Sequence, residues 1–580
     1  MRTKEGKRSQ AAEDRELRGQ SRSESWLHGA LWLSAAALVS KAIGTLQKIP
    51  LQNLAGDRVF GIYNAVYPFY QLLLFLATAG IPVAVSLLVA ERRGAGDSAG
   101  MRRALRVGMV SLGVCGLAGG LLMWAGAGVA ARWISDGAAA GAIRAAAPAL
   151  CVVPMMAALR GYFQGQQQMR PSAISQVVEQ TVRVATMLLL LYVGLAWGWA
   201  DDRLATGALA GSAAGGAAGL LTMLLFWRRA AREQSTLPGL QLDRADSGSG
   251  ESAGLLRRML ALAVPVALGS IALPVAGIVD AFTIPRLLQS GDMAAAQAMG
   301  LFGQYSRAQP LVQLVVMVAG AGAAALVPAL ASSRARGDAG QSARQISLAL
   351  RLAWYIGTAA ALGLVLLAEP INQMLYADTA QSAVFALVGS TAAAATLGAV
   401  TTAVLQGLGS VRAPAVFLLA AALLKTGLNL ALVPAYGLAG AAWAGIAAMS
   451  LPALLGLVAA HRAGGRPIGR AAWRHAAAGI CALACMAAAL WLLGRGFATL
   501  PGWGGPLPSR AAAAAVALTG VAVGAVVYGA ALLRCGAFGV DELRGLPGGA
   551  GLVGRLRRWH LLPPTSAGAA RSDAAPDEPM

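Results

Sequence analysis

A chain of 580 residues that is 57% hydrophobic and only 13% charged, with a mean hydropathy of +0.60, is not a string of soluble domains, which carry about a quarter charged residues. Its net charge of +21 would suit nucleic acid, but Arg and Lys gather in alternate connections between apolar segments and no basic face is interleaved with aromatics. Composition therefore excludes nucleic-acid binding and points to an all-α polytopic membrane protein.

Residues 1–25 form a polar tail carrying Arg2, Lys4, Lys7, Arg8, Arg15, Arg18 and Arg22. This is the wrong start for a cleavable signal peptide, so none is expected. Apolar stretches of about 20 residues, each able to cross a hydrocarbon core, then recur. The first six lie at about Leu27–Ile49, Ile62–Val89, Leu105–Ala131, Ile143–Gly161, Ser172–Leu195 and Leu204–Trp227. A Ser-, Gly-, Asp- and Arg-rich run, Arg228 to Ser252, reads as a linker. Beyond it come Leu255–Pro274, Gly300–Leu330, Ile346–Ala368, Ala383–Gly407, Pro414–Val433, Leu438–Ala460, Trp473–Leu493 and Ala511–Leu533. The expectation is about fourteen transmembrane helices. The domains are a basic tail (1–25), a six-helix bundle (26–227), a linker (228–254), a second six-helix bundle (255–460), two additional helices (461–533) and a C-terminal tail (534–580).

Five cysteines lie in or beside apolar segments with no His or carboxylate flanking them. They read as small core residues, and neither a metal site nor a cofactor is expected.

Basic connections fix orientation. Arg92, Arg93, Arg102, Arg103, Arg170, Arg228, Arg229, Arg232, Arg334, Arg336, Arg344, Arg412, Arg462, Arg466, Arg470 and Arg474 fall on the side of the N-terminal tail. The opposite connections hold Asp57, Asp136, Asp201, Asp202, Glu369 and Asp378 with scattered Arg58, Arg132 and Arg203. Both termini are expected in the cytoplasm, with the chain in the bacterial cytoplasmic membrane.

The chain repeats itself at an offset of 242. Gly61, Tyr63, Pro68, Gln71, Leu72, Ala79 and Gly80 answer Gly303, Tyr305, Pro310, Gln313, Leu314, Ala321 and Gly322, and Gln164-Gly165, Arg170 and Arg183 answer Gln406-Gly407, Arg412 and Lys425. After Arg183 the offset shortens to 230. Two six-helix halves of the same topology imply parallel repeats about an axis along the membrane normal, with substrate between them and alternating access.

An ionisable residue inside a membrane segment is costly unless it meets a partner or a wet cavity, so each is a functional candidate. Lys41 and Lys48, seven apart, share one face of the first helix. Glu179 and Arg183 have the i,i+4 spacing of a pair. Lys425 has no carboxylate one turn away, only Asn429, and its charge reads as available to a ligand. Arg307 has Ala65 as its repeat counterpart and breaks the symmetry. The substrate-binding candidates are Arg307, Lys425, Lys41, Arg183 and Lys48, with Glu179 and Asp280 as counter-ions or coupling residues. A cavity lined by Lys and Arg suits an anion, phosphate above all.

The stretches Gly61–Pro82, Arg307–Gln313 and the segment holding Arg412, Lys425, Asn429 and Gly440-Ala441-Ala442 resemble the polysaccharide-transporter branch of the multidrug/oligosaccharidyl-lipid/polysaccharide exporter (MOP) superfamily. The resemblance covers roughly residues 26–533 and is nearest to the stage V sporulation protein B and MurJ-like lipid II flippase group. It implies a fourteen-helix fold, a cationic central cavity in which Arg307 looks like the functional arginine, and movement of an undecaprenyl-pyrophosphate-linked sugar between leaflets. The implied partners are a lipid-linked anionic glycan, membrane lipids and cell-wall synthesis enzymes. A cation-coupled drug exporter would want acids in the cavity. An integral-membrane enzyme would want paired carboxylates in the short external loops. The cavity offers few acids and the external loops lack paired carboxylates, so no enzyme is expected, and a cation-coupled multidrug exporter or a non-transporting scaffold in envelope or spore-wall assembly are the alternatives.

Overall fold

The computed structural model describes residues 32–33, 35–78, 80–235, 249–410, 412–464, 470–499, 509–538, 542 and 549–558. The basic tail 1–25, the middle of the linker and most of the C-terminal tail lie outside them. Among the described residues every regular element is a helix. This is what a bilayer demands, because a helix satisfies its own backbone polar groups.

In the first half, α1 spans 35–46 and α2 spans Lys48–Thr78. They are followed by α3 (Ile81–Gly94), α4 (Ser98–Ala125), α5 (Ala127–Ile134), α6 (Ala139–Gly165), α7 (Met169–Ala196) and α8 (Asp201–Ser235). The second half holds α9 (Ser249–Gln289), α10 (Ala295–Ser306), α11 (Gln309–Ala335), α12 (Ala339–Leu366), α13 (Ala368–Tyr376), α14 (Ser382–Gly407) and α15 (Arg412–Gly464). Then come α16 (Arg470–Ala498), α17 (Arg510–Arg534) and a short α18 (Gly549–Arg558). Helices α16 and α17 pack on each other and on α12 and α13.

Ten of the described helical runs are long and apolar enough to cross a membrane, and the protein is a multi-pass membrane protein. Two of those runs double back. Gln47 Nε2 donates to the Tyr63 hydroxyl at 3.0 Å, a contact that a straight helix would place about 24 Å apart. The reversal is at Gly56, φ 78° and ψ 177°, a conformation that suits glycine. The same happens at Gly437, after which a side chain on Gly440 would meet the Leu432 carbonyl eight residues back.

The segment boundaries differ from expectation in three places. The seventh segment does not stop at Pro274: α9 continues to Gln289, which carries Asp280 well inside the helix. The eighth is broken between α10 and α11 at Arg307-Ala308, where Pro310 in the first turn of α11 has no N–H to continue the ladder. Finally, α8 and α9 run into both ends of the linker, and only 236–248 between them is outside the described residues.

The repeat is visible in backbone detail. Gly96 (φ 72°) precedes Asp97, whose carboxylate accepts the Gly100 N–H and caps α4. Gly337 (φ 71°) precedes Asp338, which accepts the Gln341 N–H and caps α12 in the same way. These caps belong to the basic end of the bundle, where Arg92 meets Asp97 at 3.0 Å and Arg258 meets Glu91 at 3.0 Å. At the other end, here the acidic face, Arg58 bridges Asp201 (3.3 Å) and Asp136 (3.7 Å).

The five cysteines are not core residues. Cys115, Cys481, Cys485 and Cys535 are exposed and Cys151 is intermediate. An apolar thiol suits a lipid-facing helix surface as well as a protein interior, so apolar surroundings in sequence do not separate the two.

Candidate functional site

Each half presents, near its acidic end, a short helix that ends in a left-handed residue followed by aspartate. In the first half α5 leads to Ser135 (φ 62°) and Asp136, whose Oδ1 accepts the Ala138 N–H at 2.9 Å. In the second, α13 leads to Ala377 (φ 56°) and Asp378, whose Oδ1 accepts the Ala380 N–H at 2.9 Å. The two turns are 242 positions apart, but they serve different arginines. Asp136 faces Arg58 of its own half, whereas Asp378 faces Arg307 at 2.8 Å.

Arg307, 1% exposed, is the most enclosed cation described. Its Nη2 and Nε donate to Asp57 Oδ2 (2.6 Å) and Oδ1 (3.1 Å), a two-pronged grip on a residue of the first half. Nη1 donates to Asn372 Oδ1 at 3.3 Å, the guanidinium lies 5.5 Å from the Tyr376 ring centre, and the Tyr376 hydroxyl donates to the Arg307 carbonyl at 2.7 Å. Gln304 Nε2 and Gln52 Nε2 add further bonds to Asp57. Arg307 therefore sits at the acidic face with its charge taken by two carboxylates, one from each half. Burial works against the charge of Asp378, but the Ala380 N–H and the Arg307 guanidinium outweigh it and hold the carboxyl below its ordinary 3.8.

Beside this cluster α2 and α10 cross with no side chain between Gly61 and Gly303. A Cβ on Gly61 would strike the Met299 carbonyl and come within 3.2 Å of the Gly303 nitrogen; one on Gly303 would strike the Asp57 carbonyl and come within 3.2 Å of the Gly61 nitrogen. Asp57 and Met299 are themselves repeat equivalents, so the contact is reciprocal.

Deeper in the bundle the two repeat-equivalent cations, Arg183 on α7 and Lys425 on α15, have unlike surroundings. Lys425, 4% exposed, is not free. Its Nζ donates to Asp280 Oδ2 at 2.6 Å, and Asn429 Nδ2 reaches Asp280 Oδ1 (3.4 Å) and Thr283 Oγ1 (2.8 Å). The Tyr305 hydroxyl is 3.5 Å from the same carboxylate. The expectation of an available charge is corrected because the counter-ion comes from α9, 145 positions away in sequence, not from a neighbouring turn. Asp280 is that counter-ion.

Arg183, 8% exposed, pairs with no carboxylate among the described residues. Glu179 turns instead to Arg160 at 2.9 Å, so the expected i,i+4 pair is not made. Arg183 Nη1 donates to the Tyr67 hydroxyl at 3.3 Å and its guanidinium lies 5.3 Å from the Tyr67 ring centre. Tyr67 stacks on Tyr63, centroids 5.6 Å apart, and Tyr63 is the repeat equivalent of Tyr305. Lys48, 6% exposed, is within Coulombic reach of Arg183 and likewise has no carboxylate partner among the described residues. Lys48 opens α2, but the ladder runs on from α1 through Gln47 (Gln47 N–H to the Ile43 carbonyl, Leu51 N–H to the Gln47 carbonyl). Helix α1 packs on α7: the Ser40 hydroxyl donates to the Gln176 carbonyl, and Gly44 lies against Gln180 and Arg183. Lys41, two turns toward the basic end on the same face, is exposed.

The difference reduces to two positions. Asp280 has Leu38 as its repeat equivalent and Lys48 has Ser290. The second half thus neutralises its cation, while the first half omits the acid and adds another cation. Buried oxygens without a donor occur at both places: Gln47 Oε1 and Gln180 Oε1 on the first-half side, and Asn429 Oδ1 beside Lys425.

Comparison with known proteins agrees with this architecture. The profile of the polysaccharide biosynthesis protein family matches residues 26–334. The chain belongs to that family. The uncharacterized membrane protein YabM of Bacillus subtilis (strain 168) is 30% identical over 92% of this chain and 97% of its own length. From the same organism, the lipid II flippase MurJ is 26% identical over 70% of this chain and 77% of its own, and stage V sporulation protein B is 25% identical over 74% and 83%. Among solved structures, an inward-facing MATE multidrug transporter of the MOP superfamily aligns with a TM-score of 0.59 at 15% identity, covering 75% of this chain and 98% of its own. Lipid II flippase MurJ in an inward closed conformation aligns with 0.56 at 13% identity, covering 86% and 97%. These likenesses establish an all-α transporter fold.

Proposed function

We propose that the protein is a flippase that carries an undecaprenyl-pyrophosphate-linked cell-wall precursor, lipid II or a related lipid-linked oligosaccharide, across the cytoplasmic membrane by alternating access. The observation that carries this reading is the pair of buried cations, Lys48 and Arg183, with no carboxylate beside them among the described residues. An uncompensated buried cation costs several kcal/mol, and an anionic ligand that enters with its own charge offsets that cost. Guanidinium and ammonium groups within reach of one another suit the oxygens of a pyrophosphate. Lys41, exposed on the same face of α1, is the entry station toward the basic end, which we take as cytoplasmic. The lipid tail stays in the bilayer throughout.

In this cycle Arg307 closes the acidic face by holding Asp57 and Asp378, and release of Asp57 opens it. A role for Arg307 in binding phosphate then belongs to the opened state, when its carboxylates have parted. A cation-coupled drug exporter is disfavoured because, among the described residues, the buried acids Asp280 and Asp136 and the half-buried Glu179 are already paired with Lys425, Arg58 and Arg160.

The test is complementation of a flippase-deficient strain together with mass spectrometry of lipid co-purified with the protein. Lys48→Met and Arg183→Gln are expected to lose both growth and bound pyrophosphate lipid while remaining folded. Full growth with either variant would remove the proposal.

A further inference from the structure

We propose that Arg510 is the residue through which the two helices outside the repeat, α16 and α17, hold the acidic-face latch shut. The last carbonyls of any helix lack intrahelical partners and favour a cation. At the end of α13 Arg510, the first residue of α17, supplies one: Nε donates to the Met374 carbonyl at 2.7 Å and Nη2 to the Leu375 carbonyl at 2.9 Å. Asn53, from the first half, donates to the same Leu375 carbonyl at 2.7 Å.

The other half is the control. Its short helix α5 is followed by Ser135, whose carbonyl receives Gln289 Nε2 at 2.9 Å from the end of α9. Each short helix is thus tied to the opposite half by one amide side chain. Of the two short helices, and among the described residues, α13 alone is also tied by a side chain to a helix that the repeat does not contain. The tie is reinforced along α17, where a side chain on Gly520 would press on Leu367, the residue preceding α13.

What α13 carries gives the tie its consequence. Asn372, Tyr376 and Asp378 supply three of the contacts that fix Arg307, and Arg307 in turn grips Asp57. The line Arg510, α13, Arg307, Asp57 joins the appended pair to the first half. The acidic face therefore opens asymmetrically: the second half is braced by α17 and the first half swings away from it. This rests on the latch reading of Arg307.

The test uses full-length protein reconstituted in vesicles, with Ser306→Cys as a reporter. Ser306 is fully buried beside Arg307, and its labelling by a charged, membrane-impermeant maleimide is read by peptide mass spectrometry, which separates it from the five native thiols. Asp57→Asn tests the latch itself and is expected to raise the labelling rate. Arg510→Ala is expected to raise it roughly fivefold, and Arg510→Lys, which keeps a cation on the carbonyls, to leave it near the parent rate. Thermal unfolding of each variant controls for loss of fold, and Arg510→Gln replaces the alanine variant if that does not purify. If Asp57→Asn raises labelling and Arg510→Ala or Gln does not, the brace is wrong and the latch stands. If neither raises it, both are wrong.

Discussion

Gly61 and Gly303, 242 positions apart in the chain, lie against one another where α2 crosses α10, each facing the backbone that its partner's missing side chain leaves open. Two equivalent residues can touch only near the axis that relates the halves, so this contact marks that axis at the acidic face. A methyl group on either glycine would push against a carbonyl oxygen rather than a flexible side chain. Gly61→Ala and Gly303→Ala are each expected to destabilise the closed form by about 1–3 kcal/mol, and to similar extents because the contact is reciprocal. Thermal unfolding and amide exchange in α10 report this; alanine variants that unfold like the parent would refute the close approach.

The Arg307 cluster yields a prediction with a pH sign. Asp378 has its carboxyl held below the ordinary 3.8, so its contribution is present above that value and is lost as pH falls through the lower folded value. The stability difference between the parent and Asp378→Asn should therefore be constant from neutral pH down to about 5 and shrink only in stronger acid. A difference that already disappears at pH 6 would place the dependence on another group. Arg307→Ala, which leaves two partly exposed carboxylates facing each other, should cost about 1–3 kcal/mol.

Lys425 and Asp280 form a closed buried pair, and a double-mutant cycle measures it. Lys425→Met or Asp280→Leu alone strands a charge and is expected to cost about 3–5 kcal/mol, whereas the double variant should recover most of the loss. Additive losses would mean that the two side chains do not share one charge pair.

Lys48 predicts the opposite behaviour. It has no carboxylate among the described residues, so Lys48→Met should raise the unfolding temperature of the ligand-free protein while it abolishes transport, the trade expected of a residue kept for binding rather than for folding. A fall in unfolding temperature would assign Lys48 a structural role.

Much of the fold was legible because it depends on local patterns. Apolar length gives spans, basic connections give the two ends, and the 242-residue offset gives two like halves. The site was legible only as a set of cations. Arg183 and Lys425 read alike in sequence because they occupy equivalent places on equivalent helices, yet what decides their roles is a partner on another helix. Asp280 is 145 positions from Lys425, and Arg160 rather than Arg183 reaches Glu179. Spacing along one helix carries no information about either. One signal was available: reading Asp280 against Leu38 and Lys48 against Ser290 at the same offset separates the neutralised half from the charged one. Asp57 and Asp378, which read as loop charges marking an orientation, are the partners of the buried Arg307, and their repeat-related turn escapes notice because Asp136 serves a different arginine.

The central claim is that the first half, not the second, receives the anionic headgroup. Reconstituted vesicles test it directly by the rate at which a fluorescent undecaprenyl-pyrophosphate glycan crosses the bilayer. Transport should be lost in Lys48→Met and in Arg183→Gln and retained in the Lys425→Met, Asp280→Leu double variant, whose charge pair is removed as a unit. Transport that survives in the first two and disappears in the last would contradict the account.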